Sequence, residues 1–135
     1  MELVSPTPTL KSPSDRFIGD VYSRTLASPE SPPYLAAALT RFLPGSRTNW
    51  HVHNNGQTLH ILEGTAIVGT RDGKILRGRA GDTVSCAAGE EHWHGSLPDA
   101  FMEHIAIVVA NASSAGTTWL EPVDDAQYKA ACETH

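Results

Sequence analysis

Residues 45–64 read GSRTNWHVHNNGQTLHILEG and set His51 and His53 two positions apart between two glycines. On a strand, residues i and i+2 point to the same face, so both imidazoles can reach one point. Gln57 follows after Asn54-Asn55-Gly56, which has the composition of a turn. Imidazole nitrogens and a side-chain oxygen suit a divalent first-row metal ion. The stretch therefore predicts part of a metal site built on short strands.

A second pair with the same spacing, His92 and His94, lies in residues 81–96, GDTVSCAAGEEHWHGS. Of the seven histidines in the chain, six lie between positions 51 and 104. Histidine at neutral pH serves as a metal ligand or a proton carrier more readily than other residues. The clustering indicates that both segments contribute to one site.

Composition excludes several classes of protein. The chain has 135 residues, enough for one domain, and is 40% hydrophobic and 19% charged. Ten Lys and Arg against fifteen Asp and Glu give a net charge of -5 without a basic stripe, which argues against nucleic acid and anionic membranes as partners. Two distant cysteines, Cys86 and Cys132, exclude a disulfide scaffold and a cysteine-based zinc site. No secretory signal or membrane-spanning run is visible, so we expect a cytoplasmic protein.

The rest of the chain predicts an all-β domain. Residues 1–14 are rich in proline and are expected to form a flexible or wrapping arm, and residues 15–135 a single domain. Short runs rich in β-branched residues alternate with glycines from Gly45 onward, and Asp72-Gly73 between two of them is a hairpin signal. Asp124 and Gln127 have capping-box spacing before a short terminal helix. Strands are expected at 17–26, 58–63, 65–70, 83–86 and 102–109, whereas residues 34–42 are ambiguous between helix and strand.

The spacing of glycines and histidines resembles the two motifs of the cupin superfamily, G-x5-H-x-H-x3-4-E-x6-G and G-x5-P-x-G-x2-H-x3-N. Residues 45–64 match the first motif except that Gln57 stands where Glu is usual. Residues 81–96 keep Gly81, Gly89 and His92 of the second. The resemblance implies an antiparallel β-barrel (a double-stranded β-helix or jelly roll) of six to eight strands, with a metal inside and a short C-terminal helix.

A closer resemblance, carried by residues 44–51, 56–59, 89–95 and 102–107, is to small bacterial cupins that include manganese-dependent hydroxynitrile lyases. It implies His51, His53, Gln57 and His92 as metal ligands, with His94 and His104 in the pocket near the metal. One divalent ion per chain is implied, with Mn²⁺ favoured over Fe²⁺, Zn²⁺, Ni²⁺ or Co²⁺. The residues expected to line the substrate pocket are Ala38, Thr40, Phe42, Asn49, Leu59, Ala106 and Val108.

The leading function hypothesis is a metal-dependent lyase. The metal acts as a Lewis acid on a hydroxy or carbonyl substrate, and His94 or His104 moves the proton during C–C cleavage. The alternatives are a cupin dioxygenase, an isomerase or cyclase of a small aromatic or polyketide-like molecule, and a non-catalytic metal-bearing binding module. The expected partners are a small-molecule substrate and further copies of the chain, as a homodimer or homotetramer.

Other conspicuous residues are expected to serve structure. His60 alternates with Leu59 and Ile61, so it should face outward. Trp50 and Trp93 flank the ligand histidines and should point away from them, towards a second core or a subunit contact.

Overall fold

The computed structural model describes residues 1–30, 32–111 and 116–134, and thirteen strands and one helix lie in them. The strands are β1 (Leu10–Lys11), β2 (Phe17–Ile18), β3 (Val21–Ala27), β4 (Leu35–Phe42), β5 (Arg47–Thr48), β6 (His51–His53), β7 (Gln57–Glu63), β8 (Thr65–Thr70), β9 (Ile75–Arg79), β10 (Thr83–Cys86), β11 (His92–Gly95), β12 (Met102–Val109) and β13 (Thr117–Trp119). The helix, α1, is Asp125–Glu133. Several strands have only two to four residues, which is why there are more of them than the six to eight expected.

The strands form two antiparallel sheets. The six-stranded sheet has the order β1-β3-β4-β12-β7-β10. The seven-stranded sheet has the order β13-β6-β11-β5-β2, with β8 pairing with β11 and β9. Buried residues of both sheets pack together in one core, which includes Phe42, Leu59 and Met102 from the first sheet and Val68 from the second. The predicted all-β barrel with a short C-terminal helix is confirmed.

Within residues 34–42, which the sequence left ambiguous, Leu35–Phe42 form the strand β4. Leu35-Ala36-Ala37-Ala38-Leu39 has helical propensity, but β4 pairs with β3 on one side and with β12 along its whole length on the other. Propensity is a weak preference that tertiary pairing overrides. The strand expected at 17–26 is present but is divided into β2 and β3 at Gly19.

The hairpin predicted at Asp72-Gly73 joins β8 to β9. The backbone N–H of Gly73 donates to the carbonyl of Thr70, and the Asp72 carboxylate accepts from the Lys74 N–H at 3.1 Å. The predicted capping box of α1 is also present: the N–H of Gln127 donates to the Asp124 carboxylate at 2.7 Å, and that of Asp124 donates to the Gln127 side chain.

Trp50 and Trp93 belong to a second core outside the barrel, as expected. They pack with Ile67, Val123 and Tyr128, so α1 is attached to the outer side of the seven-stranded sheet. The buried guanidinium of Arg47 fixes this attachment. It donates twice to the carbonyl of Val123, at 3.0 and 2.8 Å, and lies 4.5 Å from the centre of the Tyr128 ring.

The N-terminal segment lies along the edge of the six-stranded sheet. Leu10–Lys11 pair with β3, and the hydroxyl of Thr7 donates to the carbonyl of Thr25. This edge position agrees with the proline content, which excludes the interior of a sheet. Across the part of the chain that the structure describes, no helix is long and apolar enough to cross a membrane.

Candidate metal centre

Two neighbouring strands bring three histidines together inside the barrel. His51 and His53 lie on β6 and His92 on β11, and His51 is paired directly with His92. All three side chains are buried. The ring centres of His51 and His92 are 4.3 Å apart, and those of His51 and His53 are 5.0 Å apart. The i, i+2 spacing therefore has the effect that the sequence predicted.

This triad could hold a metal ion. One ligand atom of each of the three rings lies within 4.8 Å of those of the other two. Among the described residues it is the one group of at least three His, Cys, Asp or Glu that meets this distance. His94 and His104 are not members of that group.

Hydrogen bonds to the other ring nitrogen orient the triad. Nδ1 of His51 donates to the carbonyl of Asn49 at 2.9 Å, and Nδ1 of His92 donates to that of Glu90 at 2.9 Å. A carbonyl only accepts, so Nδ1 carries the proton and the neutral ring presents a lone pair on Nε2. Nδ1 of His53 instead lies 2.8 Å from the Thr117 hydroxyl, which can donate or accept. Metal-bound histidines are held in this way by their second nitrogen.

Gln57 begins β7 and turns its amide towards the triad. Its Oε1 lies 3.0 Å from Nε2 of His92. Because Nδ1 of His92 holds the proton of the neutral ring, Nε2 and Oε1 are both acceptors, and a cation between them would satisfy both. Nε2 of His53 is likewise buried without a partner among the described residues. The donor set thus fits a divalent ion bound by three imidazoles and one amide oxygen.

His94 and His104 form a separate pair beside the triad. Nε2 of His104 lies 3.1 Å from Nδ1 of His94, and Nε2 of His94 and Nδ1 of His104 have no partner in the described part of the chain. The ring of His94 is 5.1 Å from that of His51, and Phe42 packs against both members of the pair. The two neutral rings carry two protons, one in the hydrogen bond between them and one on an outer nitrogen, so one of the two outer nitrogens is a free base.

Burial keeps this whole cluster neutral. Desolvation lowers the pKa of His51 to about 3, with a smaller contribution from the charge of His92, and lowers that of His53 to about 4. It lowers the pKa of His104 to about 4 as well. The pKa of His94 is well below its usual value, first because of burial and then because of His104. Neutral imidazoles are the form that binds a metal and the form that accepts a proton.

Most of the expected pocket residues lie on the interior face of the six-stranded sheet. Phe42, Thr40, Leu59 and Val108 are buried. Ala38 is paired with Ala106 and Ala106 with Leu59. Ala38 is on the same face of β4 as Phe42, and Ala106 is on the same face of β12 as His104, so both alanines point into the barrel. Both are only half-buried, so solvent reaches the space beside these small side chains.

Asn49 is placed differently, because its amide nitrogen donates to the backbone carbonyls of Asp15 and Leu120. The backbone carbonyl of Asn49 accepts the hydrogen bond from Nδ1 that orients His51.

His60 faces outward, as expected: it is half-buried, and its Nδ1 lies 3.0 Å from the Thr83 hydroxyl.

Two residues of the centre were missed by the sequence reasoning. Thr117 contacts His53, and the ring of Trp119 lies 4.7 Å from that of His51. Both are on β13, which pairs with β6 so that Thr117 faces His53 and Trp119 faces His51. Thr117 and Trp119 are two positions apart and therefore lie on one face of a strand, which was the available signal. Nothing in the sequence indicates that this strand pairs with β6.

Comparison with known families identifies one that covers the site. The Cupin domain family matches residues 38–108, which include the histidine triad and both members of the His94–His104 pair.

Among individual proteins, the (R)-mandelonitrile lyase of Granulicella tundricola is 37% identical over 119 residues, covering 88% of this chain and 90% of that protein. The crystal structure of a cupin-like protein from Thermotoga maritima is similar along the full length of both chains, with 29% identity and a TM-score of 0.87. A cupin-2 domain from Rhodospirillum rubrum shares the fold at 16% identity, with a TM-score of 0.70 over 96% of this chain and 86% of that one.

Proposed function

The chain belongs to the cupin family, and from that membership we propose that it is a metal-dependent lyase that cleaves an aromatic cyanohydrin into an aldehyde and hydrogen cyanide. The observation that carries the proposal is the arrangement of five buried, neutral histidines, three converging on one point and two forming a pair beside it. The 37% identity with a mandelonitrile lyase over most of both chains supports the substrate class.

His51, His53, Gln57 and His92 are the residues that would hold the ion, with Mn²⁺ favoured. When bound, it would supply Lewis acidity towards the substrate oxygen. Gln57 is neutral where a carboxylate would lower the charge of the site, so a divalent ion would keep its full charge there. This donor set favours polarisation of an oxygen over redox chemistry.

The His94–His104 pair would move the proton. Nε2 of His94 accepts the hydroxyl proton of the cyanohydrin when the shared proton of the pair lies on Nδ1 of His94. The electron pair of the C–CN bond then leaves with cyanide as the C=O bond of the aldehyde forms. Cyanide takes the proton from the pair, so that the overall reaction neither consumes nor releases protons. The low pKa values of both rings ensure that a free base is present at neutral pH.

The barrel interior would bind the aromatic part of the substrate. Phe42 packs against the histidine pair on one side, and the half-buried Ala38 and Ala106 leave space on the interior face.

We propose the cytoplasm as the compartment, since both cysteines, Cys86 and Cys132, are free thiols.

The test is turnover of (R)-mandelonitrile by the purified chain loaded with Mn²⁺, followed as benzaldehyde and cyanide release. His51→Ala should abolish turnover together with metal content, whereas His94→Gln and His104→Gln should reduce it about 10²- to 10⁴-fold with the metal retained. His60→Ala, which changes an outward histidine, is the matched control and should leave turnover unchanged. Full activity in both pair variants would contradict the assignment of the base.

The same preparation separates the alternatives. Turnover after loading with Fe²⁺, Zn²⁺, Ni²⁺ or Co²⁺ shows which metal ion supports the reaction best. If the protein is a lyase, its turnover should be the same with and without oxygen. Oxygen uptake with phenolic substrates would indicate a dioxygenase instead. Failure to cleave any cyanohydrin with the metal bound would overturn the proposed reaction.

A further inference from the structure

A polar row crosses the interior face of the six-stranded sheet, on the wall of the barrel that faces the sheet of the histidine triad. Ser23 on β3 is paired with Thr40 on β4, and Thr40 is paired with His104 on β12. The side chains of Ser23 and Thr40 point into the barrel, because Val21 and Phe42, two positions along the same strands, belong to its core. Two hydroxyls thus extend the line of the histidine pair across the wall.

This row lies at the edge of a space that solvent reaches. The neighbouring row, which includes Phe42, is completely buried, whereas the row on the other side contains the half-buried Ala38 and Ala106. Ser23 is half-buried as well, and Thr40 is 6% exposed. A group that enters the space beside the two alanines can therefore reach the hydroxyls from inside the barrel.

The hydroxyls of Ser23 and Thr40 have unused hydrogen-bonding capacity. Their oxygens are 3.4 Å apart, well beyond the roughly 2.7–2.8 Å of a strong O–H···O bond. Neither hydroxyl has another hydrogen-bond partner in the described part of the chain. Together they carry two protons and four lone pairs, of which this one long bond uses one each. Hydroxyls removed from water without full partners cost free energy, so this pair fits a polar group that comes from the adjoining space.

We propose that Ser23 and Thr40 form a subsite for a phenolic hydroxyl, so that the preferred aromatic substrates carry a hydroxyl on the ring. The inference rests on the proposed function for the cyanohydrin part of the substrate. A phenolic hydroxyl both donates and accepts, so it can bond both side chains at once, whereas a methoxy group only accepts and a methyl group does neither.

The register of the row suits such a substrate. Ser23 and His104 are two strands apart, roughly 10 Å, with Thr40 between them. That separation leaves room for an aromatic ring between the reacting carbon, near the histidine pair, and the ring hydroxyl. The small side chains of Ala38 and Ala106 adjoin the space that this ring would occupy.

Equilibrium binding of product aldehydes to the Mn²⁺-loaded full chain tests the subsite without turnover. Titration calorimetry of the wild type should give a dissociation constant about tenfold lower for 3- or 4-hydroxybenzaldehyde than for benzaldehyde. The methoxy and methyl analogues should bind no better than benzaldehyde. Thr40→Val combined with Ser23→Ala should abolish the preference, because benzaldehyde binding stays as it is and only the hydroxylated aldehydes lose affinity.

Thr65→Val is the matched control for Thr40→Val. Thr65 is half-buried and lies on the same face of β8 as Ile67, which packs in the core outside the barrel. This variant makes the same chemical change and should retain the full preference. Equal affinities of the hydroxylated aldehydes and benzaldehyde in the wild type would overturn the proposal, as would a preference that the double variant keeps.

These outcomes are separate from those of the proposed reaction. Cleavage of mandelonitrile by a protein that binds all the aldehydes equally would overturn the subsite and leave the lyase proposal standing. A preference for the hydroxylated aldehydes that depends on Ser23 and Thr40, in a protein that cleaves no cyanohydrin, would support the subsite and overturn the reaction.

Discussion

At the scale of single residues, the second nitrogen of each histidine decides how the centre works. His51 and His92 are held by backbone carbonyls that no substitution of a side chain removes. His53 is held by the Thr117 hydroxyl, the one side-chain partner among the three. The orientation of His53 is therefore the part of the centre that mutation can adjust.

Thr117→Val keeps the size of the side chain and removes the hydroxyl. We expect the affinity for Mn²⁺ to fall about 10- to 100-fold, because the orientation and basicity of His53 lose their support. Titration calorimetry measures the change. Thr118→Val, at the exposed neighbouring position, is the control and should bind Mn²⁺ as the wild type does. Equal affinities of the two variants would show that Thr117 has no role in positioning.

His104 should make the metal-free protein sensitive to acid. Its pKa is about 4 in the folded chain and 6.5 as the ordinary value, so below about pH 6.5 the unfolded state binds a proton that the folded state does not. The contribution of His104 to the free energy of unfolding is therefore fully present above pH 6.5. It falls by about 3 kcal/mol as the pH is lowered towards 4.

The matched variant is His104→Gln, which retains a polar group near His94 and does not titrate. Urea unfolding of the metal-free protein at several pH values should give a flatter dependence of the free energy of unfolding for this variant. An identical slope between pH 6.5 and 4 in both proteins would contradict the assignment.

The sequence predicted the triad because its members act through spacing. His51 and His53 are on one strand, and His92 repeats the spacing on the strand that pairs with it. Thr117 and Trp119 could not be assigned, because their role depends on the pairing of β13 with β6, 64 residues away in the case of Thr117 and His53. Local spacing carries no information on such pairing.

At the scale of elements, turn chemistry was predictable and strand pairing was not. The Asp72-Gly73 hairpin and the Asp124–Gln127 cap are local patterns, and both are present. The strand β4 was ambiguous, since its alanines favour a helix and only its two neighbours in the sheet make it a strand.

The turn between β7 and β8 depends on the lack of a side chain at Gly64. Its φ is +76°, and a Cβ there would collide with the carbonyl oxygen of Phe101. Gly64→Ala should lower the free energy of unfolding by about 3 kcal/mol. Gly73→Ala has a similar φ, +87°, with no atom within 4 Å, so it should cost only about 1 kcal/mol of backbone strain. Urea denaturation of both variants isolates the collision, and equal losses would argue against it.

At the scale of the whole molecule, a metal bound by residues of both sheets should stabilise the fold. His51, His53 and His92 belong to the seven-stranded sheet, whereas Gln57 belongs to the six-stranded one. An ion that binds only the folded chain adds about 3 kcal/mol at a hundred times its dissociation constant. That corresponds to an increase of roughly 10 °C in the melting temperature.

Calorimetric melting with and without Mn²⁺ measures this increase. His92→Ala should melt at the same temperature under both conditions, whereas His60→Ala should respond as the wild type does. A melting temperature that Mn²⁺ leaves unchanged in the wild type would contradict the metal site itself.

The pairing of β4 with β12 also bears on how the chain reaches its native state. Leu35 pairs with Val109, so the central pair of the six-stranded sheet joins segments far apart in the chain. Closing a loop of that length costs entropy before any contact compensates for it, and proteins rich in such pairings fold slowly. During synthesis the barrel cannot close until β12 has left the ribosome. The three imidazoles, the last of them at position 92, are therefore brought to their final positions late, and the triad can hold an ion only when folding ends.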